Sequence, residues 1–268
     1  MTRADHEHRF FFAHVQKAAG TSLSVRLKRE FRREHIYPDA SDADTAPADG
    51  DAGPRFPRLG PTLLVSRLLE RYAVRRDEIR IVTGHFPLRT AELLGDEFRT
   101  LTLLREPVER TLSSLRHLQA RTPADRDRPL EELYDDPVRY HGLIHNHMVK
   151  MFSLSPAEIL AGDGVMARVE VFTPARLAEA KSRLGGVDVL GLHDQLDEFC
   201  DELTERFGWR LGSDVHANRT EPVEVAASFR ARIAADNAAD AELYEHARTL
   251  WATRRAVRAA GSPRVADG

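Results

Sequence analysis

Cysteine is all but missing from this chain of 268 residues. Cys200 stands alone, so no disulfide can form within the chain and a reducing compartment is its natural setting; Cys200 itself reads as a buried helix residue. Long hydrophobic runs are also lacking. No segment approaches the roughly 18 apolar residues that a membrane helix requires. The opening Met1-Thr2-Arg3-Ala4-Asp5-His6-Glu7-His8-Arg9 has none of the apolar stretch of a secretory leader, and the expectation is a soluble protein of the cytosol. Charge of one sign is not in excess either. With 39 basic against 42 acidic residues the net charge is −3, which argues against a nucleic-acid binder or a membrane-surface protein drawn by its overall field. Lysine is confined to Lys17, Lys28, Lys150 and Lys181, and arginine carries most of the basic charge, as in a GC-rich bacterial genome.

What is present suffices for a sizeable core: 42% of residues are hydrophobic, and a single unit spanning 1–268 is expected. Arg9 to Val15 is a short aromatic and apolar run ending in a polar loop. From Thr21 to Arg33, Leu23, Leu27 and Phe31 follow with the spacing of an amphipathic helix. Ile79 to Thr83 and Thr100 to Leu104 are strand-like, each leading through a polar cluster into a helical pattern, and Val187 to Leu190 is a later strand. Long helical patterns run from Val223 to Arg258. Between them, residues 38–61 are crowded with Asp, Ala, Pro and Gly and form a surface excursion. Strand and helix in alternation predict an α/β fold with a parallel sheet flanked by helices. Ligands of such sheets bind beyond the carboxyl ends of the strands.

The loop after the first strand, Gln16-Lys17-Ala18-Ala19-Gly20-Thr21-Ser22, has small residues that let backbone N–H groups approach an anion, ahead of a helix whose positive end points the same way. It departs from the nucleoside triphosphate loop Gly-x-x-x-x-Gly-Lys-Ser/Thr, because the lysine precedes the glycine and the first glycine is missing. A magnesium nucleotide enzyme also needs an Asp at the end of a neighbouring strand; here Leu103-Leu104 runs into Arg105. The pattern suits a phosphorylated ligand neutralised by protein cations alone, with no metal. Taken by itself it fits equally a solvated lysine and a Thr21 or Ser22 cap.

Phe12 to Leu23 resembles the opening motif of carbohydrate-type sulfotransferases, His-Val-Pro-Lys-x-Gly-Gly-Thr-Ser, with Gln16 in place of the proline and Ala19 in place of the first of the paired glycines. In that family the loop holds the 5′-phosphosulfate of the donor. Arg105-Glu106-Pro107-Val108-Glu109-Arg110-Thr111-Leu112-Ser113 is similar to the family's second motif, Arg-x-Pro-x-x-Arg-x-x-Ser, matched at every position and about 90 residues downstream of the first. There the first arginine and the final serine hold the ribose 3′-phosphate. Thr83-Gly84-His85-Phe86-Pro87 resembles the catalytic histidine segment of heparan sulfate 2-O-sulfotransferases. An imidazole at the end of a strand suits removal of a hydroxyl proton.

The resemblance implies a sulfotransferase fold of the phosphate-loop type. It implies 3′-phosphoadenosine 5′-phosphosulfate as co-substrate, Lys17 and His85 as catalytic residues, and Lys17 to Ser22 with Arg105 and Ser113 as the donor site. Arg219, within Asn218-Arg219-Thr220, is similar to a late Asn-Arg-Ser segment near the donor, and Asn146 to an asparagine lining the acceptor cleft beside His85. The acceptor is a small molecule or a glycan bearing a hydroxyl.

Other features carry less. His141 and His145 are four apart, as a metal pair on a helix is, but no Glu follows His141 as a hydrolytic zinc helix requires. Arg26, Arg29 and Arg33 share a helical face that reads as solvated charge rather than as a grip on an anionic acceptor. A phosphoryl-transferring kinase on a related fold, or a nucleotide-binding module without catalysis, are the competing functions.

Overall fold

The computed structural model describes residues 8–39, 63–166, 172–211 and 224–261. The excursion expected at 38–61 lies almost wholly outside them, as does the Asn218-Arg219-Thr220 segment. A five-stranded, all-parallel sheet organises the molecule, with β1 Arg9–Ala13, β2 Ile36–Tyr37, β3 Ile81–Gly84, β4 Phe98–Leu104 and β5 Val189–Leu192 in the order β2-β3-β1-β4-β5. The main helices are α1 Gly20–Glu30, α2 Val65–Arg75, α3 Pro107–Arg121, α4 His147–Ser153, α5 Pro174–Gly185, α6 Leu196–Phe207, α7 Ala227–Asp236 and α8 Ala238–Gly261, joined by shorter turns. The expected α/β class and parallel sheet are what the chain forms.

The central strand shows why. Phe10, Phe11 and Phe12 are all fully buried, as a strand covered on both faces requires. Phe10 meets the rings of Phe31, Phe207 and Trp209 edge-on at 4.6 to 6.2 Å, at and just beyond the C-terminal ends of α1 and α6. Phe11 points the other way, to Phe98, which in turn touches Tyr72 of α2. Each large aromatic burial of this kind contributes roughly 1.5–3 kcal/mol. At β5 a close approach is built in: a Cβ on Gly191 would meet the Phe199 ring at 2.5 Å and Leu103 at 2.6 Å, so only glycine lets α6 close on the sheet.

Two expectations needed correcting. The two-residue β2 was not foreseen. Arg26 is not part of a solvated face: it is fully buried, donating to Asp197 Oδ1 and Cys200 Sγ, both at 3.0 Å. Periodicity puts Arg26 beside Leu23 and Leu27, and the partners that let a guanidinium stay inside come from α6, far along the chain. Cys200 is buried on α6 as expected. Among the described residues no helix is long and apolar enough to cross a membrane.

Candidate active site

The strand registers align the site before any side chain is considered. Ala13 pairs with Gly84, and Leu104 with Leu192. His14 and His85 therefore leave the sheet side by side, and so do Arg105 and His193. The carboxyl edge presents, from β3 across β1 and β4 to β5, a histidine, the Lys17 loop, an arginine and a second histidine.

The Lys17 loop is shaped for an anion. Lys17 and Ala19 both adopt left-handed backbone, with φ of 65° and 63°, a region that costs a residue bearing a Cβ about 1–2 kcal/mol. Between them the Ala18 amide donates back to the Val15 carbonyl at 3.3 Å, closing the turn ahead of α1. Ala19 is the N-cap of α1 and supplies no side-chain cap, and the first turn of the helix holds no acidic residue. The contrast with α3 is informative. There Glu106 accepts from the amides of Val108 and Glu109 at 3.1 and 2.8 Å, behind Pro107, so its own carboxylate already occupies the positive end. The cleft has one helix end open to a ligand and one closed.

Arg105 ties the two motifs together, its Nη1 donating to the Lys17 carbonyl at 3.1 Å. Lys17 has its ammonium held below the usual lysine range by burial and then by the guanidinium groups of Arg105 and Arg121. Among the described residues neither Lys17 nor Arg121 enters an ion pair, while Arg9, Arg75, Arg76, Arg89, Arg99, Arg128 and Arg139 all do. Positive charge left uncompensated in a partly buried cleft is a site for an anion.

His85 has a fixed tautomer. Its Nδ1 lies 2.9 Å from the His14 carbonyl; a carbonyl only accepts, so Nδ1 carries the proton and Nε2 keeps its lone pair. Its ring centroid is 4.4 Å from that of His14. Burial above all, with Lys17 and His117 adding to it, pushes its pKa down to about 4, against the opposing bond to His14. The imidazole is neutral and able to take a proton at neutral pH.

Ser113, His117 and Arg121 follow one another at four-residue intervals on α3, hence on one face. The charge of Lys17 is felt by His117, and that of Arg121 by both. His117 and Arg121 on this face lie within electrostatic reach of Lys17. The sequence carried the signal in that spacing, but His117 and Arg121 were passed over. Arg110 is a different matter: fully buried, it donates to the carbonyls of Leu143 and Ile144 at 2.8 and 3.1 Å and holds the π-helical turn Tyr140–Ile144.

Asn146 sits at the N-terminus of α4 in left-handed backbone and is 5% exposed. Its amide hydrogens go to His145 Nε2 at 3.0 Å and the Asp236 carbonyl at 3.4 Å, and its oxygen accepts from Asp240 N at 3.1 Å. With both amide hydrogens taken, Asn146 joins α4 to α8. Asp240 completes that joint by accepting from the amides of Met148 and Val149. His141 within the π-turn and His145 at its C-terminal end have ring centroids 6.2 Å apart, and among the described residues no cluster of three or more His, Cys, Asp or Glu side chains is placed to hold a metal. The side chain of Thr21, and all of Arg219, lie outside what the structure describes.

No family model matches the chain, and no curated protein matches it. Among solved structures the chain is similar to a sulfotransferase from Alicyclobacillus acidocaldarius over 88% of this chain and 96% of that one, at 17% identity and a TM-score of 0.42, a likeness too slight to carry the function.

Proposed function

We propose that the chain transfers a sulfuryl group from 3′-phosphoadenosine 5′-phosphosulfate to an acceptor hydroxyl. The observation that carries this reading is the Lys17 loop: left-handed at Lys17 and Ala19, opening on a helix whose N-cap residue supplies no side-chain cap, and bound through the Lys17 carbonyl to Arg105. Resemblance of both motifs to the sulfotransferase pattern supports it. The bridging phosphosulfate belongs at the α1 end with Lys17, and the 3′-phosphate between Arg105 and Ser113.

In the reaction the acceptor oxygen attacks sulfur in line, the bond from sulfur to the 5′-phosphate oxygen breaks, and the acceptor proton passes to His85 Nε2. Lys17 offsets the charge that grows on the departing phosphate oxygen. As in phosphoryl transfer, positioning and charge stabilisation do most of the work. His85 is held in the base-competent tautomer by His14, and the donor's negative charge raises its affinity for the proton it must take.

Calorimetry on the full chain with EDTA present tests the reading. Tight binding of 3′-phosphoadenosine 5′-phosphate, unchanged by magnesium, is expected, with little for ATP. Preference for magnesium ATP favours the kinase instead, and binding without turnover across an acceptor panel favours a non-catalytic module.

A further inference from the structure

The second histidine on the carboxyl edge, His193, has no part in the motifs. It follows β5, whose Leu192 pairs with Leu104, and neighbouring strands run about 5 Å apart. Its backbone therefore leaves the sheet directly beside that of Arg105 and at once turns into a 3₁₀ segment, His193–Gln195. The side chain is partly exposed, and among the described residues its ring makes no hydrogen bond. From α8, Tyr244 approaches the same place, within electrostatic reach of Arg105.

We propose that His193 is a specificity-determining residue of the donor site, joining Arg105 on the phosphate monoester at the nucleotide 3′ position and taking up a proton from solvent as that phosphate binds. This rests on the donor reading above. A guanidinium alone attracts any anion, whereas an imidazole that gains a second N–H and a charge favours a dianionic monoester over a 3′-hydroxyl.

The surroundings set the direction of the coupling. His193 is held below the usual histidine range, by burial first and then by Arg105, with Asp194 on its own turn opposing. Around Arg105 and the neutral phenol of Tyr244 the charged groups are Glu106 and Glu109 at the start of α3, Arg116 further along it, and Glu245 and Arg248 on α8. A bound dianion outweighs these at close range and raises the histidine's proton affinity. Binding then takes up a proton, and affinity falls as pH rises through the window between the empty-site and bound-state values.

The test is calorimetry of the full chain with 3′-phosphoadenosine 5′-phosphate and with adenosine 5′-phosphate at about pH 6 and about pH 8, in two buffers of different ionisation heat. The affinity of the bisphosphate should fall about tenfold more than that of the monophosphate across this interval, with extra proton uptake measured directly in the unaltered protein. His193→Gln should abolish the excess pH dependence and the extra proton while leaving adenosine 5′-phosphate binding unchanged, which also shows that the variant folds. Equal pH slopes in the protein and the variant, or no extra proton, overturn the inference and leave the donor reading standing. No bisphosphate binding at any pH overturns both.

Discussion

Under the proposed function Lys17, Arg105 and His85 divide the work of the site, and their placement separates their expected phenotypes. Arg105 is anchored to the Lys17 carbonyl and on the proposed reading meets the part of the donor that does not react, so Arg105→Ala should weaken 3′-phosphoadenosine 5′-phosphate binding roughly tenfold to a hundredfold, the equivalent of about 1.5–3 kcal/mol for a charge-assisted contact. Lys17 meets charge that appears only as the sulfur–oxygen bond breaks. Lys17→Ala should therefore lower kcat about a hundredfold or more while changing product affinity a few-fold. Comparison of kcat with the dissociation constant in each variant checks the split, and the reverse pattern overturns the roles. For His85 the measurement is nitrogen NMR of the imidazole. The free protein should show the Nδ1–H tautomer, neutral down to about pH 4, with the titration midpoint moving upward when the anionic product binds, and His85→Asn should lower kcat about 10²- to 10⁴-fold at unchanged product affinity.

At the scale of the element, the helix α1 begins at a cost that the sequence made visible. Ala19 stands where the resemblance expects glycine, and the backbone there is left-handed all the same. Ala19→Gly removes about 1–2 kcal/mol of strain against roughly 0.5–1 kcal/mol of added freedom in the unfolded chain. A net stabilisation of up to about 1.5 kcal/mol is expected in denaturant unfolding, and a loss of stability would show that the loop is not held in this conformation. The same element marks where the sequence was legible. Hydrophobic runs gave four of the five strands to within about two residues, because buried parallel strands are short and uniformly apolar. Ile36–Tyr37 was not legible, since two residues have no period. Arg26 was misjudged because helical spacing reports which face a residue lies on, not whether a distant Asp197 waits to receive it. His193 escaped notice for a smaller reason: the strand was ended at Leu190 rather than Leu192, which hid the histidine at its carboxyl end.

For the molecule as a whole, local and global charge point in opposite directions. The chain carries a net charge of −3, so its overall field repels an anionic nucleotide, if weakly. Around the loop, Arg105 and Arg121 both stand within electrostatic reach of Lys17, and α1 adds the positive end of a helix whose N-cap residue supplies no side-chain cap. Over a Debye length of about 10 Å at 0.1 M salt, the near charges count and the distant ones are screened. The sequence alone supplied the net charge and two of these three cations, but which basic residues are paired away by acids is a tertiary fact. The two fields make opposite predictions. If the cleft governs, raising salt from about 50 to about 500 mM should weaken 3′-phosphoadenosine 5′-phosphate binding roughly tenfold or more, with adenosine nearly unaffected and the Arg121→Ala variant showing a shallower dependence. If the net charge governed, salt would screen a repulsion and binding would tighten, an outcome that would remove Lys17, Arg105 and Arg121 as the source of the donor's affinity.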